Sequence, residues 1–230
     1  MTRIAVVDYG AGNIVSIGQA LAAAGAEVVL AHRSEALAGA HALVVPGVGA
    51  AGPAMVRLRR RGLVAPIRAW IADGRPFLGI CLGLQLLFEG SDEDGAVTLG
   101  VLPGRTVLLD DAPRLPHIGW NQVERRRPHP LFSGIVENAD FYFVHSYAAA
   151  PAPGTDGLIL AETTHGGRFV SAIARGPVTG VQFHPERSGD DGLRLLANFV
   201  ALAGATGASP DGARHAAAAP DAPRAAALAG

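Results

Sequence analysis

The sequence predicts an α/β fold: a three-layer, doubly wound, mostly parallel sheet with helices on both faces and an antiparallel hairpin extension. Two observations carry this. The apolar runs Ile4-Ala5-Val6-Val7, Ala42-Leu43-Val44-Val45 and Phe77-Leu78-Gly79-Ile80 alternate with segments of helical composition. Strands that are apolar throughout belong inside a sheet covered on both sides. From Gly95 the pattern changes to short β-rich pieces separated by glycine and proline, as hairpins are.

In order along the chain, a strand at 4–8 ends in the glycine-rich loop Tyr9-Gly10-Ala11-Gly12-Asn13. Residues 14–24 have helical composition, and Gly25 supplies a stop because glycine accepts the left-handed backbone of a helix end. A strand at 27–30, a short helix capped by Ser34 and a strand at 42–45 follow, the last running into Pro46-Gly47-Val48-Gly49. Pro53 and Pro66 stand in first helical turns, where the missing N–H costs little, and Gly74 ends the second helix. A strand at 76–80 then meets a helix beginning at Leu82. Strands at 106–109, 118–124, 141–147, 158–163, 169–175 and 178–183 form the extension, and 190–202 closes the domain as an amphipathic helix. The domain is placed at 1–204. Residues 205–230 are rich in alanine, proline and glycine without periodicity, and read as a disordered tail.

Composition excludes several kinds of chemistry. All 19 basic residues are arginine, so a Walker A loop, a Schiff-base lysine and a pyridoxal-phosphate lysine are impossible. A net charge of −1 gives no electrostatic case for nucleic acid, and the clusters at 57–61 and 125–127 read as solvated faces. There is no C-x-x-C or H-E-x-x-H spacing for a metal, and Gly10-Ala11-Gly12 lacks the third glycine of a dinucleotide fingerprint. No cofactor is expected. No apolar run approaches the roughly 18 residues of a membrane span, and Met1-Thr2-Arg3 leads straight into a strand rather than a signal peptide. A single cysteine excludes an internal disulfide and fits a reducing, cytoplasmic setting.

That cysteine lies in Gly79-Ile80-Cys81-Leu82-Gly83, where a strand meets a helix. This is the G-x-nucleophile-x-G elbow: a strained corner whose neighbours need to lack side chains, with the thiol at a helix N-terminus that favours thiolate. A nucleophile needs a base, and the base an orienting acceptor. His184-Pro185-Glu186 supplies both, since residues two apart in an extended chain point to one side. His145 lacks such a carboxylate and reads as a packing or pocket residue, and His117 as a loop histidine. His32, His41, His129, His165 and His215 have nothing in their surroundings to recommend them. The Leu82 N–H and the Gly47-Val48-Gly49 loop, at the same carboxyl edge of the sheet, are candidate oxyanion donors.

Cys81, His184-Pro185-Glu186 and Pro46-Gly47-Val48-Gly49 together resemble the triad (class I) glutamine amidotransferases. The finer motifs are Asp8-Tyr9-Gly10-Ala11-Gly12-Asn13, Pro116-His117-Ile118-Gly119-Trp120-Asn121, Tyr142-Phe143-Val144-His145-Ser146-Tyr147 and Gln182-Phe183-His184-Pro185-Glu186-Arg187-Ser188-Gly189. They look like those of glutaminase subunits of imidazole glycerol phosphate synthase. The resemblance spans about residues 3–202. It implies that Cys81 attacks the glutamine side-chain amide, with His184, oriented by Glu186, moving the proton. It further implies that ammonia passes to a separate (β/α)₈-barrel cyclase making imidazole glycerol phosphate and an aminoimidazole carboxamide nucleotide in histidine biosynthesis. Val48, Gly49 and Leu82 are implied at the oxyanion, and Gly47, Gln85, His145, Ser146 and Tyr147 around glutamine. Asn13, Asn121 and Arg187 are implied toward the cyclase. The family commonly has lysine at Arg187, and arginine's planar fork is not a point charge. The alternatives are the glutaminase of pyridoxal phosphate synthesis, against which Pro116–Asn121 argues, and a silent cyclase-binding scaffold, against which the intact triad argues.

Overall fold

Alternation along the strands sets the layers. In β1 (Thr2–Val7), Ile4 and Val6 enter one apolar core, while Ala5 and Val7 enter another on the opposite face, as period-two side chains must. α1 (Ile14–Ala23) and β2 (Ala26–Ala31) follow, then a single 3₁₀ turn at Ser34–Leu37. β3 (Ala42–Gly47) divides like β1, Ala42 and Val44 to one core and Leu43 and Val45 to the other. Two helices, α2 (Ala51–Arg60) and α3 (Val64–Ala72), lead to β4 (Phe77–Cys81) and the one-turn helix α4 (Leu82–Gln85). The computed structural model describes residues 1–207.

The second half contains β5 (Gly90–Ser91), β6 (Gly104–Leu108), β7 (His117–Gln122), β8 (Glu124–Arg125), β9 (Asp140–His145) and β10 (Tyr147–Pro151). It ends with β11 (Ile159–His165), β12 (Gly167–Arg175), β13 (Val178–Val181) and the closing helix α5 (Gly189–Gly207). The main sheet runs β2-β1-β3-β4-β13-β12-β10-β6-β5, with β11 joining β12 and β8. Pairing is parallel from β2 to β13 and again between β5 and β6; the rest of the extension is antiparallel. Ile17, Leu21, Leu195 and Phe199 of α1 and α5 cover one face, and Met55, Leu58 and Ile67 of α2 and α3 the other. The chain is therefore the doubly wound, three-layer α/β protein that its apolar runs predict.

Three boundaries differ. The strands expected at 118–124 and 141–147 each break into two, because β7 and β9 leave the main sheet and pair only with each other, while β8 and β10 stay in it. The last helix continues to Gly207, beyond the expected domain end at 204. The tail expected from 205 otherwise lies outside the described residues.

Registers place the site. The order β2-β1-β3 reverses direction at β1, and such switch points open crevices at the carboxyl ends of strands. At that edge Gly47 of β3 pairs with Cys81 of β4, and Val181 of β13 pairs with Ile80. The residues that follow β13 are thereby laid alongside the cysteine.

Candidate active site

Cys81 ends β4 and caps α4 with φ 54° and ψ −112°. Among the described residues only Cys81 and Asn138 adopt positive φ without being glycine; such strain costs on the order of 1–3 kcal/mol and persists where surroundings enforce it. The surroundings here are glycines. A Cβ on Gly83 would overlap the Val45 carbonyl oxygen, one on Gly79 would come 2.6 Å from the Gly83 carbonyl carbon, and one on Gly180 would come 2.6 Å from Leu84 Cδ1. Neither Gly79 nor Gly83 has positive φ. The flanking glycines thus serve the close seating of α4 on β3, β4 and β13, and the strained torsion falls on Cys81 itself.

His184 stands three residues past β13 and is 3% exposed. Its N–H donates to Tyr142 O at 2.8 Å, and its carbonyl accepts from Ser188 Oγ at 2.6 Å. Nδ1 lies 3.0 Å from Oε1 of Glu186, whose side chain is fully buried. The expected pairing is present, but it is made by a 3₁₀ turn at Pro185–Arg187 rather than by an extended chain. Burial opposes charge on the imidazole; the Cys81 sulfur on one side and Glu186 on the other overcome it and raise the pKa to about 10. Nε2 makes no formed hydrogen bond, so the Cys81 side of this balance is a close charge contact. The ring holds its proton through neutral pH and can serve as an acid toward a departing amine.

Two hydrogen-bond chains meet at one backbone carbonyl. Gln85 Nε2 donates to Tyr147 O at 2.8 Å and to Gln182 Oε1 at 3.0 Å, and Gln182 Nε2 donates to Cys81 Sγ at 3.5 Å. From the other side His145 Nδ1 reaches the same Tyr147 O at 2.9 Å. Burial lowers the His145 pKa to about 3 and the His117 pKa to about 4, so both rings are neutral. A carbonyl only accepts, so His145 carries its hydrogen on Nδ1. Its bare Nε2 then accepts from His117 Nδ1 at 3.3 Å, and His117 Nε2 accepts from Asn121 Nδ2 at 3.2 Å.

A cavity of about 330 Å³ opens beside the thiol, lined by Val48, Gly49, Cys81, Leu82, Gln85, Glu93, His145, Ser146 and Tyr147, with Pro116 and Val144. Its size suits a small metabolite. Leu82 is the first residue of α4, so its N–H has no helical carbonyl to bond. Gly49 has φ +81° with open space around it. Gly47 packs on Leu82 and the Tyr9 hydroxyl rather than lining the cavity. The anticipated oxyanion and substrate residues thus gather here, Gly47 excepted.

The chain matches the family model for glutamine amidotransferase class-I over residues 5–203. It is 48% identical to the imidazole glycerol phosphate synthase subunit HisH of Symbiobacterium thermophilum over 200 residues, 86% of this chain and 93% of that protein. With the HisH subunit of a Cyanothece species it shares 50% over 205 residues, 87% of this chain and 96% of that one. The chain belongs to the class-I glutamine amidotransferases. The solved structure of PurLQS from Thermotoga maritima overlays with a TM-score of 0.69 at 19% identity, covering 86% of this chain and 97% of that one, a likeness of fold.

Several side chains of this amidotransferase take places that local sequence does not announce. His117 is no loop histidine: it is buried in β7, stacked on His165 with centroids 4.0 Å apart and on Phe143 at 5.0 Å. Gln182, Glu93 and Tyr9 join the site without having been singled out. The Tyr9 hydroxyl is buried under Gly47 without a partner, and burial, with Cys81 nearby, drives its pKa upward. Of the arginine clusters, Arg57 and Arg61 tie down the loop after β1 through Gly10 O at 3.0 Å and Asp8 O at 2.8 Å. Arg126 pairs with Glu162 at 3.1 Å, and Arg127 donates to Ala174 O at 3.0 Å. Asn13 caps α1 without a side-chain bond. Arg187 stacks 4.1 Å over the Tyr142 ring, beside the exposed Ile118 and Trp120 of β7. Among the described residues no group of His, Cys, Asp or Glu could hold a metal, and no helix is long and apolar enough to cross a membrane.

Proposed function

We propose that this chain hydrolyses glutamine to glutamate and ammonia, and delivers the ammonia to a (β/α)₈-barrel cyclase of imidazole glycerol phosphate synthase for histidine biosynthesis. The observation that carries the chemistry is a strained elbow cysteine, at the wall of a metabolite-sized cavity, with the buried His184–Glu186 pair beside it. Cys81 Sγ attacks the side-chain carboxamide carbon, and the developing oxyanion is met by N–H groups of Leu82 and of the Val48-Gly49 loop. His184 gives its proton to the amide nitrogen, so ammonia leaves and a γ-glutamyl thioester remains. His184 then takes a proton from water as the hydroxide attacks the thioester; collapse releases glutamate and the thiolate. Glu186 keeps the imidazole oriented throughout.

Among the described residues Glu93 is the one acidic side chain lining the cavity, and we assign it to the α-ammonium of free glutamine. Gln85, whose N–H groups are already committed, has Oε1 to offer. His145, Ser146 and Tyr147 complete the lining toward the substrate. Burial, and then Asp94, raises the Glu93 pKa, so its charge disappears at a higher pH than an ordinary carboxylate's. Glu93→Gln is expected to raise KM for glutamine about fivefold with kcat little changed, the scale of one partly exposed ion pair. The wild-type KM is expected to climb as pH falls through the raised Glu93 pKa, and that of the variant to stay flat; parallel profiles would remove Glu93 from the pocket.

The cyclase is expected to dock at the carboxyl edge of the sheet, with Asn13, Asn121 and Arg187 toward it. One cysteine used as a nucleophile also suits a reducing, cytoplasmic setting. The test is co-purification with a candidate cyclase. Glutaminase activity of the chain alone is expected to be slow and to rise at least tenfold with cyclase and its nucleotide. Full activity of the isolated chain would point instead to a free-standing hydrolase.

A further inference from the structure

Gln182 lies between the strand that brings the base and the base itself. It is fully buried. Because Val181 pairs with Ile80, the residue after it comes level with Cys81. Which end of its amide faces the sulfur follows from the partners. The Tyr147 carbonyl can only accept, so the Gln85 atom 2.8 Å from it is the nitrogen. That nitrogen's second hydrogen points to Gln182 at 3.0 Å, so the Gln182 atom there is the oxygen. The remaining end of the Gln182 amide, 3.5 Å from Cys81 Sγ, is therefore NH₂, and the sulfur is its one acceptor among the described residues.

We propose that Gln182 is a positioning residue for the nucleophile: its amide, locked by Gln85 and the Tyr147 carbonyl, holds an N–H donor on the Cys81 sulfur. An N–H donor bonds far more strongly to a thiolate than to a thiol. The lock therefore favours the attacking form of Cys81 and fixes the sulfur while the strained corner leaves its χ1 the only freedom. The same amide ties that preference to the pocket wall, because Gln85 lines the cavity and Gln182 does not. Gln182 thus acts on the thiol from behind, opposite the substrate.

This assignment rests on Cys81 being the glutamine-attacking nucleophile, and its test separates the two. The full-length chain has one cysteine, so iodoacetamide reports Cys81 alone, with no glutamine present. Gln182→Leu, close in shape, is expected to move the midpoint of the alkylation pH profile upward by about one pH unit relative to wild type, the tenfold scale of one hydrogen bond to a charged group. Gln182→Glu keeps an acceptor for Gln85 but sets an oxygen against the sulfur, so its midpoint should rise at least as far. In the complex with cyclase, both variants should lose kcat about tenfold or more with KM within threefold. An alkylation pH profile with the wild-type midpoint in either folded variant overturns the proposal. So does a slowing that is equal at every pH, which reports access, or a raised KM with kcat intact, which reports the pocket through Gln85. Failure of the wild-type complex to turn over glutamine would instead sink the nucleophile reading.

Discussion

Cys81→Ala is expected to abolish glutamine-dependent synthesis by the complex, by more than about a thousandfold, and to leave ammonia-dependent synthesis intact. The two reactions share every step after ammonia enters the cyclase, so only the source of nitrogen is removed. No other nucleophile stands ready: Ser146 lines the same cavity, but among the described residues no hydrogen bond ties its hydroxyl to an imidazole. Folding should survive, because the lost sulfur leaves only a small void and alanine is no worse than cysteine at φ 54°. The measurement is product formation with glutamine and with ammonium salt, side by side. Equal loss of both would mean that the substitution had broken docking or folding, and would remove Cys81 from the assigned role.

Gly83→Ala is expected to be the most damaging single methyl in the chain. The added Cβ would coincide with the backbone carbonyl oxygen of Val45, and a backbone in the centre of a parallel sheet cannot swing aside as a flexible side chain can. Either α4 lifts from β3 or the strand shifts, and both move Leu82 and Cys81. Overpacking of this kind costs about 3 kcal/mol or more, a large share of the roughly 5–15 kcal/mol that holds a domain. Gly18→Ala in α1 is the matched control: its new Cβ meets only Val28 Cγ1 at 3.8 Å, and helix propensity favours alanine by about 1 kcal/mol. Denaturant midpoints should fall sharply for Gly83→Ala and hold or rise for Gly18→Ala. A Gly83 variant within about 1 kcal/mol of wild type would mean that α4 floats on the sheet rather than being seated in it.

What the sequence discloses of this site is what sits close together along the chain. Gly79, Cys81 and Gly83 belong to one strand-to-helix corner, and His184 and Glu186 are two residues apart, so each piece can be read locally. The parallel core is legible for a similar reason, since Ala42–Val45 could not face solvent on either side. Gln182, Glu93 and Tyr9 could not be weighed this way. Each gains its meaning from a neighbour far along the chain: Gln182 from Cys81 through the β4–β13 register, Tyr9 from Gly47 at the end of β3. His117 looked like a loop residue because Pro116 precedes it, and the strand that buries it, β9, comes more than 20 residues later. The broken strands have the same origin. Composition marks 141–147 as extended, but which sheet each half joins is decided by its partners.

The chain of neutral rings from Asn121 through His117 and His145 to the Tyr147 carbonyl has a fixed polarity, since every hydrogen in it points toward Tyr147. A Grotthuss relay needs a terminal group able to take the last proton and a row of bonds that can then reverse. An amide carbonyl at one end and a carboxamide NH₂ at the other offer neither. These histidines therefore insulate rather than conduct. Proton traffic at Cys81 thus falls to His184, and the row of rings behaves as a strut.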